Sequence, residues 1–264
     1  MTNSSVVIER PEQHAHVAVL RLNRPDKMNA FDLAMTADMH AAIDELGRLF
    51  PEVRAVVLTG AGRAFCAGAD MALVAANASG KKVPPVEGRY IIDIGPRLRR
   101  LPQPVIGAIN GVATGAGLGI ALACDMRFAA EQARFSSMFI KRSLVPDTGT
   151  SFTLQRLMGP ALAAEMVMTG RMVDAAFALR TGLVTSVVSA EQLMPEALAM
   201  AAEIAANPPL AMRATKKLMN SYGLNLEEVV IREMEANGPT EGTADRREAV
   251  QVFLEKRKPD YVGR

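Results

Sequence analysis

Apolar positions divide the chain into two regimes. As far as about residue 190, short β-type runs alternate with helical stretches, and beyond Ser189 the pattern is helical throughout. Val6 to Glu9 and Val17 to Leu22 have strand character, HAHVAVLRL alternates with period two, and together they predict a short N-terminal hairpin. Asn23 to Ala30 punctuates the chain as a loop. From Asp32 a helical pattern carried by Leu33, Met39, Ile43 and Leu46 runs to about Phe50, where Pro51 stops it, and Val53 to Thr59 is an unbroken apolar run of strand length. The stretch from Pro104 to Asp125, PVIGAINGVATGAGLGIALACD, organises the rest. Its β-branched run ends at Asn110-Gly111 and passes through Gly115-Ala116-Gly117 into a helix of small and apolar residues.

Between these segments, Ala72 to Gly88 carries Gly80, Lys81-Lys82 and Pro84-Pro85 and reads as a mobile loop suited to a lid, followed by a helix from about Arg89 to Arg100. A strand over Met126 to Ala129, a turn over Ser143 to Gly149 and helices over Thr150 to Leu157 and Pro160 to Thr169 follow. The C-terminal helices are expected at Glu191 to Ala206, Leu210 to Tyr222, Leu226 to Glu235 and Glu241 to Glu255. Alternating strand and helix predicts an α/β fold with a mostly parallel sheet over 1–190 and a helical region over 191–264.

At 264 residues the chain can build one main domain with a large core. Its net charge of +2 gives no field that would recruit nucleic acid, and no apolar run is long enough to span a membrane. Cys66 and Cys124 lack paired spacing, and MTNSSVVIER lacks a signal pattern, which predicts a cytoplasmic protein with reduced thiols. The 16 methionines suggest core filling and, on the C-terminal helices, an adaptable contact surface for self-association.

Candidate chemistry narrows by exclusion. His14, His16 and His40 all precede the first glycine-rich turn, and no HExxH, GxSxG, P-loop or zinc spacing occurs. Gly115, Gly117 and Gly119 give GxGxG, not the dinucleotide fingerprint. What remains is a pair of glycine-rich turns, Ala64 to Asp70 (AFCAGAD) and Asn110 to Gly119, each expected at a strand end. Two such turns can aim backbone N–H groups at one oxygen.

At this point RPDKMNA (Arg24 to Ala30), AFCAGAD, AINGVATGAGLGIALACD, LVPDTG (Leu144 to Gly149) and ANPPLAMRATKKLMN (Ala206 to Asn220) together resemble the enoyl-CoA hydratase/isomerase, or crotonase, superfamily. The resemblance covers nearly the whole chain. It implies a spiral of β-β-α units, a helical C-terminal region that forms a homotrimer or a dimer of trimers, and a coenzyme A thioester as substrate with no prosthetic group. It places the oxyanion-hole N–H groups on Ala69 and Ala116, and contacts to CoA on Lys27, Met28, Ala30, Ala67, Asp70, Met71 and, from the last helix, Lys256.

The two glutamates with which hydratases of the family handle water fall on Gly119 and Phe139, and neither can move a proton. Asp147 stands where several family isomerases carry a catalytic aspartate. As a plain residue it would cap a helix starting near Thr148. The resemblance therefore implies a shift of an enoyl-CoA double bond by one Asp base, whose pKa Phe139, Leu144 and Val145 would raise. Alternatives are a hydratase recruiting Glu87, Asp93 or Glu165, an aryl-CoA dehalogenase, for which the required histidine position is Ile92, and a non-catalytic acyl-CoA- or RNA-binding homologue carrying the basic run Lys256 to Lys258.

Overall fold

The computed structural model describes residues 4–80, 84–221, 223 and 226–264. Two antiparallel strands open it, β1 (Val6–Glu9) and β2 (Val17–Leu22), and α1 (Leu33–Arg48) follows, capped by Asp32, whose carboxylate accepts from Met35 N. From there a unit repeats: a long strand, a tight turn, a short strand, then helix. The first is β3 (Ala55–Gly60) and β4 (Ala64–Cys66) with α2 (Met71–Ala78) and α3 (Ile94–Arg100). The second is β5 (Val105–Ile109), β6 (Val112–Thr114) and α4 (Ala116–Ala123), and the third is β7 (Met126–Ala130), β8 (Arg134–Ser136) and α5 (Thr150–Met158).

The long strands, joined by the short β10 (Ser186–Val188), form a six-stranded sheet in the order β1-β2-β3-β5-β7-β10, parallel except for β1. The other short ones form a four-stranded sheet, β4-β6-β8-β9. Its last strand, β9 (Val173–Asp174), follows α6 (Pro160–Thr169), and α7 (Ala175–Arg180) leads to β10 (Ser186–Val188). The chain ends in α8 (Ala190–Ala205), α9 (Pro209–Met219), α10 (Leu226–Asn237) and α11 (Ala244–Glu255).

Period-two patterning assigns the faces of the large sheet. Ala18, Leu20, Val56, Leu58, Val105 and Ile109 point into the main core with α1, α3 and α4, whereas Val17, Val19, Ala55, Val57, Ile106 and Ala108 pack against Leu193, Ala197 and Ala201 of α8. A sheet covered on both faces explains why β3 reads as an unbroken apolar run.

Some expectations need correcting. The segment after Gly60 is not a plain loop, because Ala64–Cys66 pairs with Val112–Thr114. Ala72 to Gly88 is helical in its first part: Asp70 accepts from the backbone N of Ala72, Leu73 and Val74 and starts α2. Lys81, Lys82 and Val83 of the expected lid lie outside the described residues. The helix expected from Arg89 begins at Ile94, after a 3-10 turn over Ile91–Asp93. The helix expected to end at Tyr222 ends at Met219, and Tyr222 lies outside the described residues. β8, β9, α7 and β10 have no counterpart in the sequence reading. Strands of two or three residues are too short to carry a period, so their pairing arises from the tertiary fold. No helix among the described residues is long and apolar enough to cross a membrane.

One buried cation ties the helical region to the core. Lys216 Nζ on α9 lies 2.9 Å from Asp125 Oδ2 and donates to the carbonyls of Gln103 at 2.8 Å and Leu98 at 3.3 Å. Burial pushes its pKa down, and Asp125 pulls it back up. Lys216→Ala should lower stability by roughly 3 kcal/mol, because it leaves a partly buried carboxylate and two carbonyls without their donor; urea titration measures it. Burial also pushes the thiols of Cys66 and Cys124 up to about 12. At pH 8 only about one thiol in ten thousand is then ionised, so a disulfide reagent should label neither cysteine of the native protein and both after denaturation.

Candidate active site

A cavity of about 640 Å³ opens where the two glycine-rich turns meet. Gly68, at φ +95°, lies so close to the second turn that a Cβ there would sit 2.8 Å from the Thr114 carbonyl oxygen and 3.3 Å from Ala116 N. Only glycine allows this approach. Pairing of β4 with β6 and a 3.1 Å hydrogen bond from Thr114 Oγ1 to the Ala67 carbonyl hold the turns together.

The first loop is fastened to the same place. Ala67 N donates to Met28 O, Phe31 N to Gly68 O and Asp70 N to Phe31 O, so Phe31 and Ala69 form a parallel bridge. In that pattern residues 68 and 70 supply the bonds, and the N–H of Ala69 faces away from Phe31. Asn29, fully buried, donates from Nδ2 to the carbonyls of Ala61 and Ala64 and accepts from Arg24 N. Arg24 reaches the Ala30 carbonyl and pairs with Asp70 and Asp32.

Ala69 N and Ala116 N, the latter at the first position of α4, have no hydrogen-bond partner among the described residues, and both residues line the cavity. Ala116 is buried and Ala69 partly so, and two N–H groups without a partner on facing turns are available to donate to an oxygen in the cavity. The third feature is Asp147, which lines the same cavity and is half-buried. Burial raises its pKa, and the Thr148 hydroxyl, which donates to Oδ1 at 2.7 Å, lowers it. Asp147 does not cap α5: Gly149 holds that position, and no side chain caps the helix.

Of the residues singled out in the sequence, Lys27, Met28, Ala30, Ala67, Ala69, Asp70, Met71, Ala116 and Asp147 all line this cavity. Lys256 does not; it closes α11 in a left-handed conformation, exposed. Phe139 and Leu144 line the cavity beside Asp147, whereas Val145 is 81% exposed and turns away. Glu87, Asp93, Glu165 and Ile92 are not at the cavity. Asp93 accepts from Tyr90 N, and Glu165 pairs with Arg171. Arg257 in the basic C-terminal run pairs with Glu248 and Glu255.

The sequence reading missed Arg63, Val74, Arg142 and Met172, which also line the cavity. Arg63 sits inside a glycine-rich turn and was findable there; Met172 arrives from the end of α6 with no local signal. A second cleft of about 720 Å³, between the end of α3 and helices α9 and α10, is rich in cations. Its acid, Glu235, is paired with Arg232, and its buried Lys216 is the fold anchor, so the chemistry belongs to the first cavity.

The enoyl-CoA hydratase/isomerase family model matches residues 12–264. The chain is 36% identical over 253 residues to the short-chain-enoyl-CoA hydratase of Clostridium acetobutylicum, with 94% of each chain covered. It is 35% identical over 259 residues to the 1,2-epoxyphenylacetyl-CoA isomerase of Escherichia coli, covering 94% of this chain and 95% of that one. Hydratase is the commoner name among such relatives. The crystal structure of an enoyl-CoA hydratase from Bacillus anthracis superposes with a TM-score of 0.90 at 34% identity, covering 98% of this chain and 100% of that one. With its alternating β-β-α core, its helical C-terminal region and a family match over nearly its whole length, the chain belongs to the enoyl-CoA hydratase/isomerase family, the crotonase superfamily.

Proposed function

We propose that this enzyme moves a double bond in an enoyl-CoA through a dienolate, with Asp147 as its base. The observation that carries the reading is the cavity's acid inventory. Asp147 is half-buried with its second oxygen unpartnered among the described residues, while the positions resembling the two hydratase glutamates are Gly119 and Phe139. Of the other acids that line the cavity, Asp70 is engaged by Arg24 and by the start of α2, and Asp26 is exposed in the 3-10 turn Pro25–Lys27.

In this reading the thioester oxygen sits between the N–H groups of Ala69 and Ala116. As Asp147 takes a proton from the carbon beside the thioester, negative charge moves onto that oxygen. Donors already aimed there contribute on the order of a hundred- to a thousand-fold each. The carboxylic acid then returns the same proton two carbons away, so no second acid and no water are consumed. Burial, which raises the pKa of Asp147, favours its holding the proton between the two transfers.

CoA would lie along Lys27, Met28, Ala30, Ala67, Asp70 and Met71, with Arg63 and Arg142 available to its phosphates. Lys256 would reach it only from a neighbouring subunit. No prosthetic group is needed for this chemistry. Exposed Met219, Ile231, Met234, Phe253 and Leu254 on α9 to α11 support burial of the 191–264 region in a homotrimer or dimer of trimers, with 1–190 carrying the site. We place the enzyme in cytoplasmic lipid metabolism. A hydratase remains the second reading, supported by the relatives' names.

Asp147→Asn should lower isomerisation of a 3-enoyl-CoA by roughly a hundred- to ten-thousand-fold, with acyl-CoA binding retained. Full activity in that variant overturns the mechanism. Crotonyl-CoA hydration by the wild type should be very slow, and rapid turnover would favour the second reading. For wild type, kcat/KM should fall as pH drops through the Asp147 pKa, above the ordinary aspartate range. The sign for stability is opposite. A buried acid with a raised pKa binds its proton more tightly folded than unfolded, so its contribution weakens as pH rises. Asp147→Asn should therefore melt higher than wild type at neutral pH, and the gap should close in acid.

A further inference from the structure

Thr148, next to the proposed base, holds a conformation that its own chemistry disfavours. It sits at φ +54°, in the left-handed region, although its Cβ is branched. It is 4% exposed. Such outliers persist only where the surroundings over-determine them. Here two glycines from two different helices do so. A Cβ on Gly95 of α3 would lie 2.5 Å from the Thr148 carbonyl oxygen and 3.1 Å from Cγ2. A Cβ on Gly119 of α4 would lie 2.6 Å from Thr148 Cβ and 3.1 Å from Cγ2. Thr148 is thus seated in a slot that both helices leave open, and from it Oγ1 donates to Asp147 Oδ1.

We propose that Thr148 is the positioning residue of Asp147, seated by Gly95 and Gly119 so that its hydroxyl holds one carboxylate oxygen and leaves the other for substrate. This rests on the reading of Asp147 as the base. The bond fixes the orientation of the carboxyl group. It also favours the ionised form and so opposes the burial that disfavours it. A second consequence concerns position 119. The volume in which the resemblance would put a glutamate is occupied by Thr148, so a side chain at 119 displaces the seat instead of adding an acid.

No charge competes for this control. On α3, Arg97 is bound to His40 and Asp44, Arg99 to Asn220, and Arg100 lines the other cleft. α4 has no ionisable residue, and on α5 Arg156 lies over Phe152. Lys141 and Arg142 belong to the 3-10 turn before Asp147. Arg142, Arg63, Lys27, Asp26 and Asp70 line the same cavity, but burial and the Thr148 hydroxyl account for the shift of Asp147.

The test compares Thr148→Val, which keeps the shape and loses the donor, with Thr148→Ser, which keeps the donor. In Thr148→Val the acid limb of kcat/KM should move up by roughly one to two pH units, and Thr148→Ser should restore it. Carboxyl carbon NMR of the free protein, with Asp147→Asn identifying the resonance, should give the same displacement without relying on turnover. Gly119→Ala leaves both residues in the chain but unseats Thr148, and should shift the limb in the same direction; it serves if Thr148→Val does not fold. In an Asp147→Asn background, Thr148→Val should change the residual rate less than twofold. An unshifted limb and resonance in folded Thr148→Val or Gly119→Ala, beside an inactive Asp147→Asn, overturns the positioning role alone. An active Asp147→Asn overturns the base and the positioning role together.

Discussion

The cavity depends on one close approach, that of the turn at Gly68 to the turn that enters α4 at Ala116. Much of the flanking backbone is held by neighbouring segments: Met28 holds Ala67, Phe31 holds Gly68 and Asp70, and Ser136 holds Gly115. The bonding pattern leaves out Ala69 because a parallel bridge takes its bonds from the flanking residues. It leaves out Ala116 because the first residue of a helix has no carbonyl behind it. Two orphan donors thus follow from strand pairing and helix geometry, with no side chain needed to create them. Asn29 and Arg24 complete the arrangement by fixing the first loop to the same turn, which brings Lys27, Met28 and Ala30 to the cavity edge.

Much of this was legible in the sequence where local chemistry decides. The hairpin strands, the helix from Asp32, the stop at Pro51, the strand from Val105 and the Gly115-Ala116-Gly117 helix entry all carry their own signals. The small sheet did not, because Ala64–Cys66, Val112–Thr114 and Arg134–Ser136 are held by each other across the fold. That Asp147 is not a cap for α5 was not legible from local chemistry, for a related reason. The residue is three positions ahead of the first residue of α5, and the left-handed backbone at Thr148 and Gly149 swings its carboxylate away from the helix start toward the cavity. A positive φ at threonine is not a local preference, so no sequence pattern announces it.

The same constraint bears on how chemistry varies on a shared fold. A TM-score of 0.90 to an enoyl-CoA hydratase establishes the scaffold, but the reaction follows from which side chains face the cavity. Gly119 is more than a position from which an acid is missing. Its hydrogen makes the room in which Thr148 Cβ and Cγ2 sit, and Thr148 in turn holds the carboxylate of Asp147. The absence of one acid and the presence of the other are therefore coupled through a single buried residue. A hydratase-like residue at 119 would have to displace Thr148, and with it the orientation of Asp147. Phe139, buried beside the same cavity, adds apolar surface next to the carboxylate, in keeping with a burial that raises its pKa.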